Sequence, residues 1–327
     1  MKAAVLRKYG VPQVLRIEDV EQPIPSDSEV LVKIHASSVI AGDCEMRRMD
    51  FPLMLKIPLR IFMGIFRPRA KILGQECAGE IVMVGSTVEH YAVGDRVFLT
   101  SGFKMSTNAE FITINPDSSS MVMTTMPSNL SYTEAATIPV GGLNALRAVT
   151  KMKLQSGQHL LINGAGGSIG TMTIQLAKLH DVVITAVDHQ SKLELLTSLG
   201  ADHVIDYQHE DFTEKSQTYD VIFDIVGSTD FSRSLELLKD HGSLILGNPT
   251  GTQLLFAKRR GRKRGKSVIT NTSDYTTEDL INLRNLIEEH KLRPVVDKIM
   301  TLDEISAAHE YVEGWQKKGS LAIQIIP

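Results

Sequence analysis

Short apolar runs rich in valine and isoleucine recur through residues 1–125, each closed by polar or turn-forming residues. The pattern predicts strands at Lys2–Leu6, Glu29–Ile34, Gly79–Val84, Arg96–Leu99 and Ala109–Ile114. PIPSDS, VGST and VGD between them supply the proline, glycine, serine and aspartate that turns favour. From residue 130 the texture changes to alternating strand and helix. Strands are predicted at His159–Asn163, Val182–Val187, His203–Asp206, Val221–Ile225, Ser243–Leu246 and Ser267–Thr270. Helical patterns at Ser168–Leu179, Ser191–Leu199 and Phe231–Leu238 lie between most of them. Alternation of this kind builds an α/β fold with a parallel sheet covered on both faces. Two helices over 277–291 and 302–316 and a strand at Leu321–Ile326 close the chain, with no internal repeat or low-complexity linker.

One junction carries chemistry. In HLLINGAGGSIGTMTIQLAK (159–178) a strand feeds a glycine-rich turn that opens directly into an amphipathic helix. Gly164, Gly167 and Gly170 remove the side chains that would block a tight turn, and the helix start presents N–H groups and a positive dipole end to a pyrophosphate. The spacing is G-x-x-G-x-x-G, with Gly166 adding a partial G-x-G, so a glycine-rich helix cap with no ligand stands as the alternative.

Composition narrows the picture. A chain of 327 residues exceeds one ordinary core, so two domains are expected. A net charge of −3 argues against the whole molecule acting as a trap for nucleic acid. Two cysteines, Cys44 and Cys77, exclude a disulfide framework or a four-cysteine zinc lobe. MKAAVLRKYG lacks the apolar core of a signal peptide and no uncharged run reaches transmembrane length, so the cytoplasm is the expected compartment.

With these residues in place, the sequence resembles the medium-chain dehydrogenase/reductase superfamily, in its zinc-independent quinone oxidoreductase-like branch. The landmarks run in order: YGVPQVLRIEDVEQPIPSDSEVLVKIHASSV, ILGQECAGEIVMVG, YAVGDRVF, AATIPVGGLNAL, INGAGGSIG, LGADHVIDY, YDVIFDIVG and AAHEYVEGWQKKGSLAIQI. The resemblance implies a GroES-like, β-rich substrate domain over 1–125 and a Rossmann domain with a doubly wound parallel sheet over 126–270. It further implies that the helices and strand of 271–327 return to the substrate domain. Zinc-dependent relatives carry a ligand cysteine where this chain has Ile40, a ligand histidine where it has Gln75, and a further cysteine near Val140 or Gly141. Cys44 and Cys77 fall off those positions and are expected to be packed in the interior. No metal is expected.

Without a Lewis acid, oxidising an unactivated alcohol is hard, whereas an enone, enal or quinone takes hydride at carbon and delocalises the charge onto oxygen. The resemblance therefore implies an NAD(P)H-dependent oxidoreductase of quinones or α,β-unsaturated carbonyls. A zinc-free alcohol dehydrogenase or ketone reductase, and a nucleotide-binding protein with little turnover, are the alternatives. The family's N-x-x-D-x-x-x-R becomes Ile40, Asp43 and Arg47, so the asparagine is lost. Asp43 and Arg47 are either catalytic or a helical ion pair holding the site wall, and the ion pair is the reading taken. Asn144 replaces a threonine near the nicotinamide, and Asn248 beside Gly247 is placed for the carboxamide. Ser168, Ile169 and Val226 complete the expected cofactor contacts.

The ribose end gives mixed signals. Asp188 stands where an acid bonds the ribose hydroxyls of NAD, while Lys192 and Tyr207 stand where NADPH-dependent relatives contact the 2′-phosphate. Lys192 could instead neutralise Asp188. NADPH is favoured over NADH. Two basic segments remain. DFPLMLKIPLRIFMGIFRPRAK (50–71) mixes large apolar residues with Lys56, Arg60, Arg67, Arg69 and Lys71, with a helix start at Asp50–Pro52 that Pro58 should bend or end. A packed lid is the preferred reading over a dimer face or a membrane-surface contact. KRRGRKRGK (258–266) is read as a solvated loop, with an anionic membrane, nucleic acid or the cofactor phosphate as alternative partners. A homodimer acting on a small molecule, without nucleic acid, is the expected assembly.

Overall fold

The computed structural model describes residues 1–51, 53–69, 71–214, 217–227, 229–270 and 275–326, and of 53–55 and 62 only the backbone. The chain opens with β1 (Lys2–Leu6), β2 (Leu15–Asp19), β3 (Val30–Ser38), α1 (Ala41–Arg48), α2 (Leu53–Met63) and β4 (Glu76–Val84). It continues through β5 (Arg96–Thr100), β6 (Phe111–Ile114), β7 (Val122–Thr125), α3 (Tyr132–Ala135) and α4 (Pro139–Met152). Then come β8 (His159–Asn163), α5 (Ser168–Lys178), β9 (Val183–Asp188), α6 (Leu193–Ser198), β10 (His203–Asp206) and β11 (Tyr219–Asp224). After these follow α7 (Phe231–Glu236), β12 (Leu238–Leu246), α8 (Gly251–Lys263) and β13 (Ser267–Ile269). The last elements are α9 (Thr277–Glu288), β14 (Val296–Thr301), α10 (Ile305–Glu313) and β15 (Ser320–Gln324).

Two compact units emerge: Met1–Val140 with Thr276–His290 and Pro294–Pro327, and Gly141–Tyr275 with Lys291–Arg293. The first unit therefore ends later than the expected 125, because α3 and the residues up to Val140 pack with its strands. The expected start of the closing segment, residue 271, lies outside the described residues.

In the first unit β1 and β2 form an antiparallel pair, and a larger sheet runs β14-β15-β3-β4-β5-β7 with β6 also pairing β3. Alternate residues of its strands (Val30, Val32, Ile34, Ile81, Val97, Leu99) point into one core with Cys77. Cys77 is fully buried and Cys44 is 2% exposed, both packed as expected. Strands β2, β7 and β14 escape the sequence pattern. In β14 (VDKIMT), Asp297 and Lys298 interrupt the apolar alternation, since the strand lies at the sheet edge.

In the second unit all six strands are parallel, in the order β10-β9-β8-β11-β12-β13. The order reverses beside β8, which opens a crevice at the carboxyl ends of β8 and β11. One expectation fails locally. Residues 258–263 are helical rather than a loop: Thr250 and Gln253 cap α8, and Gly261 is accommodated because it packs on Val268. In the first unit, helix α2 runs on past Pro58 to Met63, so Pro58 does not end it. Pro52, the expected helix start, lies outside the described residues.

Candidate dinucleotide site

Strand β8 ends at Asn163 and the chain turns at Gly164, whose φ of +84° suits glycine and strains any residue with a Cβ. A Cβ there would also meet Val226 Cγ2 at 2.7 Å. Gly170 lies against the main chain of Ala165, which cannot swing aside as a side-chain tip would. Gly167 differs from both. A Cβ on Gly167 would find nothing nearer than the Gly164 carbonyl oxygen at 4.0 Å, so the turn opens onto free space. Gly167 is also the residue before α5 and supplies no side-chain cap to its first N–H groups. An open cradle at a helix start fits a dinucleotide pyrophosphate.

The neighbouring strand ends complete the crevice. Asn163 Nδ2 donates to Asp224 Oδ1 and to Thr229 Oγ1, each at 2.9 Å, and Gly227 N donates to Asp224 Oδ1 at 3.1 Å. Burial raises the Asp224 carboxyl above its usual range, with these donors acting against the rise. Gly247 packs on Ile225 and Phe223, and Gly227 abuts Asn248, so Val226, Gly247 and Asn248 gather beside Gly164. A Cβ on Gly141 would lie 3.1 Å from Ser168, which sets the half-buried Asn144, one turn along α4, near the start of α5.

At the end of β9 the structure gathers Gly166, Asp188, His189 and Lys192 into one cluster. Asp188 Oδ2 accepts from Gly166 N at 2.7 Å, and Oδ1 accepts from His189 N and pairs with Lys192 Nζ, each at 2.8 Å. Both side chains of the pair are 7% exposed, and a Cβ on Gly166 would collide with them. Lys192 is thus the partner of Asp188 in this structure. Tyr207 remains exposed beside His189, with ring centroids 6.1 Å apart.

The first unit contradicts the expected Asp43–Arg47 ion pair. Asp43 Oδ2 accepts from Ile40 N at 3.1 Å and Oδ1 from Gln75 Nε2 at 3.4 Å. Arg47 instead donates to Gly10 O at 2.7 Å and pairs with Glu313 of α10, which also holds Arg48 at 3.0 Å. These partners engage the N–H at the start of α1 and the two terminal nitrogens of the fully buried guanidinium, whose Nε has no hydrogen-bond partner among the described residues. Arg47 is therefore held by Gly10 and Glu313, not by Asp43.

Close by, Glu76 accepts from Ser38 Oγ and from Val140 N at 2.6 Å. Burial pushes Glu76 up to about 7, with the Asp43 carboxylate adding to the rise. Burial likewise pushes Asp43 up to about 6 against its hydrogen bonds. On the far side of α1, Cys44 Sγ sits 3.3 Å from His309 Nδ1, and burial holds the thiol up at about 12 and the imidazole down at about 3. Both stay neutral at physiological pH.

Comparison with known proteins decides the family. Residues 26–148 match the alcohol dehydrogenase GroES-like domain and residues 199–323 the zinc-binding dehydrogenase domain. The chain belongs to the medium-chain dehydrogenase/reductase superfamily. Within it, the chain is 29% identical to the 2-methylene-furan-3-one reductase of Solanum lycopersicum, over all of this chain and 80% of that protein. It is 28% identical to the chloroplastic NADPH-dependent alkenal/one oxidoreductase of Arabidopsis thaliana, with the same coverage. The quinone oxidoreductase structure from Coxiella burnetii superposes with a TM-score of 0.88 at 27% identity, covering 100% of this chain and 99% of that one.

In this medium-chain dehydrogenase/reductase, Ile40 offers hydrocarbon and Gln75 an amide already donating to Asp43. Among the described residues no three histidine, cysteine, aspartate or glutamate side chains gather into a cation site. Two functional-looking groups escape the sequence reading. Glu76 could have been found as an acid opening the apolar strand β4, whose other glutamate, Glu80, is less buried. Glu313 could have been found as the one charge in line with Ile305, Ala308 and Val312 on the buried stripe of α10.

Proposed function

We propose that this medium-chain dehydrogenase/reductase is an NAD(P)H-dependent oxidoreductase that delivers hydride to an α,β-unsaturated carbonyl or a quinone without a metal. The open cradle at Gly167, in a chain similar along its whole length to an enone reductase and a quinone oxidoreductase, carries the reading. When bound, the nicotinamide supplies hydride from C4. The chain's own residues do the rest. Gly164–Gly170 and the start of α5 receive the pyrophosphate, Val226, Gly247 and Asn248 wall the nicotinamide half, and Asn144 offers an amide near the reacting end. Modest donors suffice, because charge arriving on an enone is spread onto its oxygen and water supplies the closing proton.

NADPH is the preferred cofactor in this reading. With Asp188 neutralised by Lys192, the charge that would repel a 2′-phosphate is cancelled, and Tyr207 stays available at the rim. Asp43 could stabilise or protonate only through Gln75, since it is fully buried. The absence of zinc is supported by the side chains at positions 40 and 75. No described helix is long and apolar enough to cross a membrane, and we place the protein in the cytoplasm as a homodimer.

The test is loss of reduced-nicotinamide absorbance with NADPH and NADH separately, against a 2-alkenal, a cyclic enone, a quinone and a saturated ketone, with and without a chelator. Oxidation driven by the enal, enone or quinone and indifferent to chelation is expected. Turnover of the saturated ketone alone, or cofactor binding without turnover, would overturn the proposal.

A further inference from the structure

Helix α8 packs on the second unit through its small residues Gly251, Ala257 and Gly261 and turns an unusual face outward. Leu255 is 60% and Phe256 53% exposed there, and Lys258, Arg259, Arg262 and Lys263 follow, all exposed. At 3.6 residues per turn, Leu255, Arg259 and Arg262 form one stripe, with Phe256 and Lys263 beside it. The remaining cations of the run are engaged by the protein itself. Arg260 lies 4.8 Å over the Phe231 ring and donates to Ser232 Oγ, Arg264 pairs with Glu236, and Lys266 donates to the carbonyls of Leu238 and Lys239. Lys258, Arg259, Arg262 and Lys263 have no carboxylate partner among the described residues, and no Asp or Glu occurs between His241 and Ser273.

A favourable interaction with the C-terminal end of the helix accounts for Arg262 and Lys263, but leaves Leu255 and Phe256 in water without a reason. A second copy seated with α8 against α8 would bring this cationic face against itself. Nucleic acid would use the cations but not the adjoining leucine and phenylalanine. We propose that α8 is an interfacial helix that docks the protein on an anionic lipid bilayer. Leu255 and Phe256 lie at the acyl boundary and the four cations lie on the headgroups.

Flotation of the full-length protein with vesicles tests this. Binding is expected to equal parts phosphatidylcholine and phosphatidylserine, to weaken with salt, and to vanish with phosphatidylcholine alone. At about fivefold per cation, the combined Lys258→Gln, Arg259→Gln, Arg262→Gln and Lys263→Gln variant should lose several hundredfold in partitioning. Leu255→Ser with Phe256→Ser should lose binding even at low salt, while both variants keep the wild-type thermal midpoint, oligomeric state and turnover of a soluble acceptor. No binding to the anionic vesicles, binding that survives both variants, or a change of oligomeric state in the serine variant would overturn the proposal. So would retention on DNA that the serine changes leave untouched.

Discussion

The glycine turn of the second unit and the carboxyl cluster of the first solve opposite problems. Around Gly167 the protein withholds side chains, leaving open space and helix N–H groups for a ligand's negative charge. Around Asp43 and Glu76 it does the reverse: two carboxyls are enclosed, donors from Gln75, Ser38 and Val140 are supplied, and their charge remains costly. The first region is open to an anion and the second is closed around its own. A residue's burial, more than its type, decides whether it serves a ligand or the scaffold.

The sharpest way to break the comparison is to put a carboxylate where the turn is open. Gly167→Asp has room for its side chain, so the fold and thermal midpoint should be unchanged. Cofactor affinity, read by quenching of intrinsic or nicotinamide fluorescence, should fall by on the order of 100-fold or more from like-charge contact. Unchanged affinity would move the phosphate site elsewhere. The mirror experiment is Glu313→Ala, which strands the fully buried Arg47. It should cost about 3 kcal/mol in denaturant unfolding, the usual penalty for one member of a buried pair. A double-mutant cycle should find strong coupling of Arg47 to Glu313 and almost none to Asp43.

The same two regions divide what is legible in the sequence from what is not. The cradle is legible because its determinants are local: the strand, the glycines and the helix lie within twenty residues, and each needs only its neighbours. The parallel sheet is legible for the same reason, one strand–helix unit at a time. Arg47 misleads because its partner lies 266 positions away, and i,i+4 proximity to Asp43 offers a nearer answer. The role of Gly166 is hidden likewise, since only the folded chain brings Asp188 and Lys192 over it. Helix α8 escapes because its basic run suggests solvent, while its cap at Thr250 and its inward glycine and alanine residues define a packed helix.

The closed region predicts a pH dependence. The Glu76 carboxyl ionises near 4.5 in an unfolded chain and near 7 in the fold. Below 4.5 both states are protonated and burial carries no ionic penalty. Between the two values the unfolded chain ionises first, so folding takes up a proton and stability falls as pH rises; above 7 the full penalty is present. Glu76→Gln keeps an acceptor for Val140 N without the charge. It should match the wild type near pH 4 and exceed it by up to about 3 kcal/mol at pH 8, since each tenfold change in an ionisation constant is worth about 1.4 kcal/mol. A difference independent of pH would mean that Glu76 acts through packing alone.

The smallest expected effect lies where the two regions come closest in kind, at Asp188. This carboxylate belongs to the open unit yet is closed over by Gly166 N, His189 N and Lys192. Lys192→Gln removes the neutralising charge while leaving the two backbone donors. If the pair's function is to cancel Asp188 beneath the adenosine ribose, the variant should raise the KM for NADPH about tenfold, as expected for one partly screened charge, and barely change that for NADH. Adding Asp188→Asn should restore the NADPH value, because the repelling charge is then gone as well. If Lys192 instead reached the 2′-phosphate directly, the second change would restore nothing. That outcome would make the pair seen here a resting arrangement that the cofactor breaks.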